Sequence, residues 1–293
     1  MLLFSEQPPY FCRMKKQHWF ITGVSGGLGR ALAEELLAAG HAVSGTLRQA
    51  AQIDEFEQLK PGSAFGFLGD VRNRNQMQQA LNDAESKSGA IDVLVNNAGY
   101  GLIGAVEECS EQEIRDQMEV NFFAALFLTQ DVLPRMRQKG GGHIFNISSI
   151  AGLNGAASLA LYNASKFALE GFSEGLMLET RHLGIKVTLV EPGPFRTKWA
   201  GSGLVHAAHQ IGAYSEITRG TRERLARVDG RQPGDPHKAA RLMIQVAAME
   251  NPPLRLLLGK PAYQVIEAKI ERLSAEFAAW KSRGAATDFD TEE

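Results

Sequence analysis

A tyrosine and a lysine stand four residues apart in Tyr162-Asn-Ala-Ser-Lys166, a spacing that sets both side chains on one face of a helix. A phenol ordinarily titrates near ~10 and is a poor acid–base catalyst at neutral pH. A neighbouring ammonium favours the phenolate and is expected to lower that value, making Tyr162 a usable proton donor or acceptor. Taken alone, such a pair is a common accident of helix surfaces. Ser149 changes its meaning: it lies thirteen residues earlier, after the apolar run 144–147 and ahead of the helix that bears the pair. Ligands bind at the C-terminal ends of strands in α/β sheets, so Ser149 and Tyr162 are expected to converge on one carbonyl oxygen and polarise it.

A second constellation is a phosphate-binding turn. The apolar run 18–22 leads straight into Thr22-Gly-Val-Ser-Gly-Gly-Leu-Gly29, followed by a helical pattern with Leu32, Leu36 and Leu37. Glycines between a strand and a helix let the backbone approach a pyrophosphate, whose charge the helix N-terminus then holds. After the second apolar run, where NAD enzymes place an acid against the adenosine ribose, the sequence reads Thr46-Leu47-Arg48. A guanidinium there suits a 2′-phosphate, and no carboxylate stands beside it. NADP is therefore expected as cofactor, with NAD as the alternative.

The scaffold that must position these residues is legible as alternation. Short apolar runs at 18–22, 41–46, 64–68 and 91–95 are interleaved with amphipathic ones at 28–39 and 75–88. The pattern continues with a long helix over 111–137, a strand to 147, a helix over 157–183 and a strand over 185–190. The strands are continuously apolar, as in Asp92-Val-Leu-Val95, which predicts a parallel sheet buried on both faces. The fold expected is α/β, a Rossmann-type doubly wound parallel sheet of about seven strands flanked by helices on both faces. Residues 1–16 read as an N-terminal tail, with Met14 as an alternative start, and 17–293 as a single catalytic domain. The irregular stretch 195–235 reads as a substrate lid, and the charged segment 260–293 as a helical extension packed on the surface.

Composition narrows the partners. A net charge of −2 from 31 basic and 33 acidic residues, without long single-sign runs, gives no electrostatic reason to expect nucleic acid or an anionic membrane. No apolar stretch reaches the ~18 residues of a membrane helix. Cys12 and Cys109 make neither a disulfide framework nor, with the scattered histidines, a metal site. Free thiols, a cytoplasmic location, no metal and a small-molecule partner are the expectation.

Together these motifs resemble the classical short-chain dehydrogenase/reductase family over about residues 18–258. That family's Thr-Gly-x-x-x-Gly-x-Gly corresponds to Thr22 through Gly29, its Asn-Asn-Ala-Gly to Asn96 through Gly99, and its Tyr-x-x-x-Lys to Tyr162 and Lys166. The resemblance implies a catalytic set of Asn121, Ser149, Tyr162 and Lys166. Cofactor contacts are implied for Gly23, Ser25, Gly27, Leu28, Gly29, Arg48, Asp70 beside the adenine, Val71, Asn97, Ala98, Gly99, Tyr162, Lys166, Pro192, Gly193, Phe195 and Thr197. It implies an NADP-dependent oxidoreductase acting on a carbonyl or alcohol substrate: Tyr162 transfers the proton, Ser149 stabilises the oxyanion, Lys166 holds the ribose hydroxyls, and Asn121 orders a water behind Lys166. One departure is Gly26, where many NADP-preferring members carry a basic or hydroxyl residue, which leaves Arg48 as the main 2′-phosphate ligand.

The lid contains Phe195, Trp199, Leu204, Val205, Ile211 and Tyr214, which would either line a pocket for a hydrophobic ketone or secondary alcohol or merely pack the lid. Excess apolar residues on the two long helices, such as Phe122, Phe123 and Phe127, point to a homodimer or homotetramer. The alternative function is a non-catalytic NADP-binding sensor or interaction protein of the same fold. An isomerase or dehydratase retaining its nicotinamide is disfavoured by the complete catalytic set.

Overall fold

In the computed structural model, which describes residues 15–289, the apolar runs become strands with no solvent face. The expected tail over 1–16, with Cys12 and Met14, lies outside the described residues except for its last two positions. The first half runs β1 (His18–Ile21), α1 (Gly27–Ala38), β2 (Ala42–Leu47), α2 (Ala51–Glu57), β3 (Ala64–Leu68), α3 (Arg74–Ser88), β4 (Val93–Asn96) and β5 (Gly101–Ile103). It continues with α4 (Glu111–Met118), α5 (Ala124–Lys139), β6 (Gly142–Ile147), α6 (Ala160–Thr180), β7 (Ile185–Pro192) and β8 (Leu204–His206). Last come α7 (Ser215–Val228), α8 (Pro236–Ala247), β9 (Arg255–Leu258) and α9 (Lys260–Ala285).

Seven strands form one parallel sheet in the order β3-β2-β1-β4-β6-β7-β9, the doubly wound α/β arrangement expected. The chain moves outward from β1 through β3 and then returns to the other side of β1. This reversal opens a crevice beyond the C-terminal ends of β1 and β4, whose register pairs Ile21 with Val95. On one face Leu32, Leu36, Met243 and Ile244 of α1 and α8 pack on Trp19, Val43 and Phe145. On the other, Leu81, Val132 and Leu176 of α3, α5 and α6 pack on Phe20, Leu94 and Ile144. Each such fully buried side chain contributes about 2 kcal/mol, and both layers hold the crevice rigid from behind.

Three expectations need correction. The single helix expected over 111–137 is divided by a π-turn at Glu119–Phe123, an insertion that hydrophobic periodicity does not register and that is common at functional sites. The lid is not irregular throughout: β8 pairs in parallel with β5, and α7 turns Thr218 and Thr221 inward. Its inward face is Thr218, Thr221 and the half-buried Leu225 on an arginine-rich helix, too sparse an apolar stripe to announce it. The C-terminal segment does form a helix, but it does not pack along the surface. In α9 only Ala262 is buried.

Candidate active site

The glycine turn is built by backbone geometry. Gly23 and Gly27 adopt left-handed conformations, with φ of +75° and +61°, which side-chain-bearing residues reach only at a cost. At Gly29 a Cβ would stand 2.4 Å from Asn97 Nδ2 and 2.5 Å from the Gly23 carbonyl oxygen. Asn97 Nδ2 donates to the carbonyls of Thr22 and Gly23 at 2.8 and 3.0 Å. The backbone N–H groups of Asn97 and Ala98 donate to Thr22 Oγ1 at 2.9 and 3.0 Å. The loop after β4 thus clamps the turn after β1.

The crevice fits a dinucleotide. The first turn of α1 has no side-chain cap and no acidic residue, so its N–H groups and dipole are available to an anion. A cavity of about 580 Å³ lies beside it, bordered by Gly27, Arg30, Arg196, Thr197 and Lys198 together with the carboxylates Glu34 and Asp229. Thr197 is brought to the turn, its Cγ2 3.8 Å from where a Gly27 Cβ would sit. Ser25 is exposed, and Leu28 packs partly into the core. Arg48 is exposed immediately beyond β2. Asp70 follows β3, but its carboxylate is held by Arg72, with Nη2 at 2.6 Å. That hydrogen bond keeps Asp70 below the usual carboxylate range against the opposing effect of burial. Val71 packs against the second core layer. Pro192 ends β7, and the Gly193 N–H donates to the Leu258 carbonyl at 3.0 Å. The Phe195 ring packs on the core, and its carbonyl accepts the Thr197 N–H at 2.8 Å.

Tyr162 sits in the first turn of α6, buried among Ile103, Ala151 and Leu159, with Trp199, Leu204 and Leu225 of the lid packed against the group. The Trp199 ring lies 5.3 Å from the tyrosine ring at 47°. Ser149 Oγ accepts the Ala151 N–H at 3.1 Å, and its hydroxyl favours the ionised form of the Tyr162 phenol. Burial pushes the phenol up to about 12, and the Ser149 hydroxyl opposes this. The expected lowering by Lys166 is therefore overturned. Lys166 Nζ lies 6.0 Å from the tyrosine ring centroid and donates to the Ile147 carbonyl at 2.8 Å. Burial pushes Lys166 itself down to about 8, opposed by the Glu170 carboxylate. Desolvation penalises both charged forms, so the resting site holds a protonated phenol.

Asn121 occupies the π-turn and is buried. Its Oδ1 accepts from the Tyr100 N–H at 3.0 Å, while Nδ2 donates to the Tyr100 carbonyl at 2.9 Å and to Ser165 Oγ at 3.1 Å. Both amide protons are thus spent on protein, so they do not order a water. The side chain ties the loop after β4 to α6 instead. Gly99 fits between, since its Cβ would stand 3.1 Å from Asn121 Oδ1 and 3.6 Å from Lys166 Nζ.

Sequence reasoning missed a charged group behind this site. Glu170, one turn beyond Lys166, and Glu191, beside Pro192, are both buried and both pair with Arg255 of β9, Glu191 at 2.6 Å. Burial and the neighbouring Glu170 push the Glu191 carboxyl up. The available signal was a glutamate and an arginine each inside an apolar strand, which implies a partner. Of the lid residues, Trp199 and Leu204 reach Tyr162, whereas Val205 is exposed. The Ile211 N–H and the Tyr214 hydroxyl donate to Glu108 and Glu107.

Among the described residues, no helix is long and apolar enough to cross a membrane. The family model for short chain dehydrogenases matches residues 17–204. The chain is 37% identical over 274 residues to Oxidoreductase BOA17 of Botryotinia fuckeliana, covering 92% of this chain and 98% of that protein. It is 37% identical over 257 residues to a 3-ketodihydrosphingosine reductase of Bacteroides thetaiotaomicron, covering 87% and 92%. A crystal structure of a short-chain dehydrogenase from Streptomyces avermitilis superimposes with a TM-score of 0.87 at 39% identity, over 94% of this chain and all of that one. With the motifs, the seven-stranded sheet and these relatives in agreement, the chain belongs to the short-chain dehydrogenase family of oxidoreductases.

Proposed function

We propose that the protein is an NADP-dependent oxidoreductase that interconverts a hydrophobic ketone and its secondary alcohol. The observation that carries this is Tyr162: a buried, protonated phenol beside the Ser149 hydroxyl, under an apolar lid and next to the nucleotide crevice. A bound nicotinamide supplies or accepts the hydride. The protein's own groups do the rest. Ser149 Oγ accepts from the Ala151 N–H, and its O–H, which acts on the phenol in the resting site, turns to donate to the substrate oxygen and stabilise developing negative charge. Tyr162 gives its proton to that oxygen. Lys166, behind it, holds the ribose hydroxyls and replenishes the proton. Asn121 fixes the loop that faces Lys166.

Arg48 supports NADP over NAD, being an exposed guanidinium past β2 with no ion pair among the described residues. The apolar enclosure of Trp199, Leu204 and Leu225 supports a hydrophobic substrate, and the name of one relative, 3-ketodihydrosphingosine reductase, describes a ketone reduction. A homodimer or homotetramer is supported by Phe123, Phe167 and Leu178, which remain exposed on the π-turn and α6. The test is NADPH oxidation over ketones and aldehydes of graded size, with NADH in parallel and Tyr162→Phe as control. Turnover with a bulky apolar ketone, abolished in Tyr162→Phe with NADPH binding intact, is expected. Stoichiometric NADPH binding without turnover of any carbonyl would overturn the enzyme in favour of a sensor.

A further inference from the structure

The helix α9 extends for roughly 39 Å, yet Ala262, in its first turn, is its one buried residue. There Ala262 packs against Gly193, its Cβ 3.3 Å from where a glycine Cβ would sit. Its large apolar residues Tyr263, Ile266, Ile270, Leu273, Phe277 and Trp280 are spaced three, four, three, four and three apart, with Val265 beside Ile266. Ile270, Phe277 and Trp280 are 57%, 69% and 63% exposed, while Ile266 and Leu273 between them are half-buried. Alternation of three and four is the 3.5-residue period of a coiled-coil seam, narrower than the face a helix turns toward a globular core. Monomeric soluble proteins rarely expose such a contiguous stripe.

We infer that α9 is an interaction helix that pairs antiparallel with α9 of a second copy of this chain. Set antiparallel, the seam is self-complementary. Ile270 meets Leu273 of the second copy, Ile266 meets Phe277 and Tyr263 meets Trp280, so every layer is filled and the contact closes on a two-fold axis. The same register brings Lys269, which flanks the seam, against Glu276 of the second copy, and the two-fold axis repeats the pair. In a parallel pair Lys269 would instead face the uncharged Ser274. A membrane surface fits less well, because the polar face carries Glu267, Glu271 and Glu276 among its Lys and Arg residues, where interfacial helices are rich in cations.

The inference is independent of the catalytic reading and is tested on the full-length protein. Ile270→Glu with Phe277→Glu should lower the particle mass in sedimentation velocity about twofold, with the circular dichroism unchanged. Lys269→Glu alone and Glu276→Lys alone each place like charges at both contacts. Each should weaken self-association about tenfold, four unfavourable changes of ~0.3 kcal/mol together. Mixing the two single variants restores opposite charges at both contacts and should restore assembly, a result that parallel pairing does not give. Carbodiimide coupling of mixed isotope-labelled and unlabelled protein should yield a Lys269–Glu276 peptide carrying one label of each kind. Unchanged mass together with no mixed-label peptide would overturn the inference, as would a monomer whose α9 sediments only with anionic phospholipid vesicles.

Discussion

Two neighbouring glycines of the phosphate-binding turn should respond in opposite ways to a side chain. In Gly29→Ala the new methyl would lie 2.4 Å from Asn97 Nδ2 and 2.5 Å from the Gly23 oxygen, about 1 Å inside ordinary contact. Asn97 cannot retreat without losing its bonds to the Thr22 and Gly23 carbonyls, each worth about 1 kcal/mol. Overpacking adds ~2 kcal/mol, and the better helix propensity of alanine returns ~1 kcal/mol. The net destabilisation is about 3 kcal/mol, a fall in Tm of about 5 °C for a chain of this length. Gly26 is extended, with φ 179°, and a Cβ there meets nothing within 4 Å. Gly26→Ser should therefore stay within about 0.5 kcal/mol of wild type. Thermal unfolding followed by circular dichroism compares the two variants directly. A Gly29→Ala protein as stable as wild type, or an equal loss in Gly26→Ser, would refute the clamp between Asn97 and the turn. Gly29→Ala should also weaken NADPH binding, because the carbonyls it displaces shape the approach to α1.

Carbonyl reduction should lose kcat/KM as pH rises through about 8, where Lys166 gives up its proton, while Tyr162, up at about 12, stays protonated. A pH–rate profile flat to pH 9.5 would show that the lysine charge is not needed. Arg48→Ala should raise the KM for NADPH about tenfold or more, the worth of a charge-assisted hydrogen bond, and leave that for NADH unchanged. Equal effects on both cofactors would remove Arg48 from the 2′-phosphate site. His143, buried with Nε2 2.9 Å from Thr188 Oγ1, is pushed by burial down to about 3. Its folded value lies below its unfolded one, so its contribution is fully present above pH 6.5 and is lost as pH falls toward 3. Between pH 7 and 4 this costs the wild type about 3 kcal/mol, and urea titrations should show His143→Gln losing correspondingly less over that range. Parallel losses in the two proteins would contradict a neutral buried imidazole.

The sequence by itself determined the layer architecture and the order of the motifs. Continuously apolar runs such as Val93–Asn96 become strands with both faces covered, and local hydrophobic period is sufficient to say so. Gly23, Gly27 and Gly29 are likewise legible, because a left-handed or crowded backbone position admits few other residues. The π-turn was not, since one extra residue per turn leaves the polar and apolar pattern of 111–137 almost unchanged. Nor was α7, whose inward face is threonine and the half-buried Leu225. Only the tertiary structure decided the electrostatics. Sequence spacing sets Tyr162 and Lys166 on one helix face, but their pKa directions follow from how deeply both are buried, against the opposing effects of Ser149 and Glu170 that meet them in space. These are contacts between distant segments, and desolvation is a property of the enclosed volume, which no local pattern encodes.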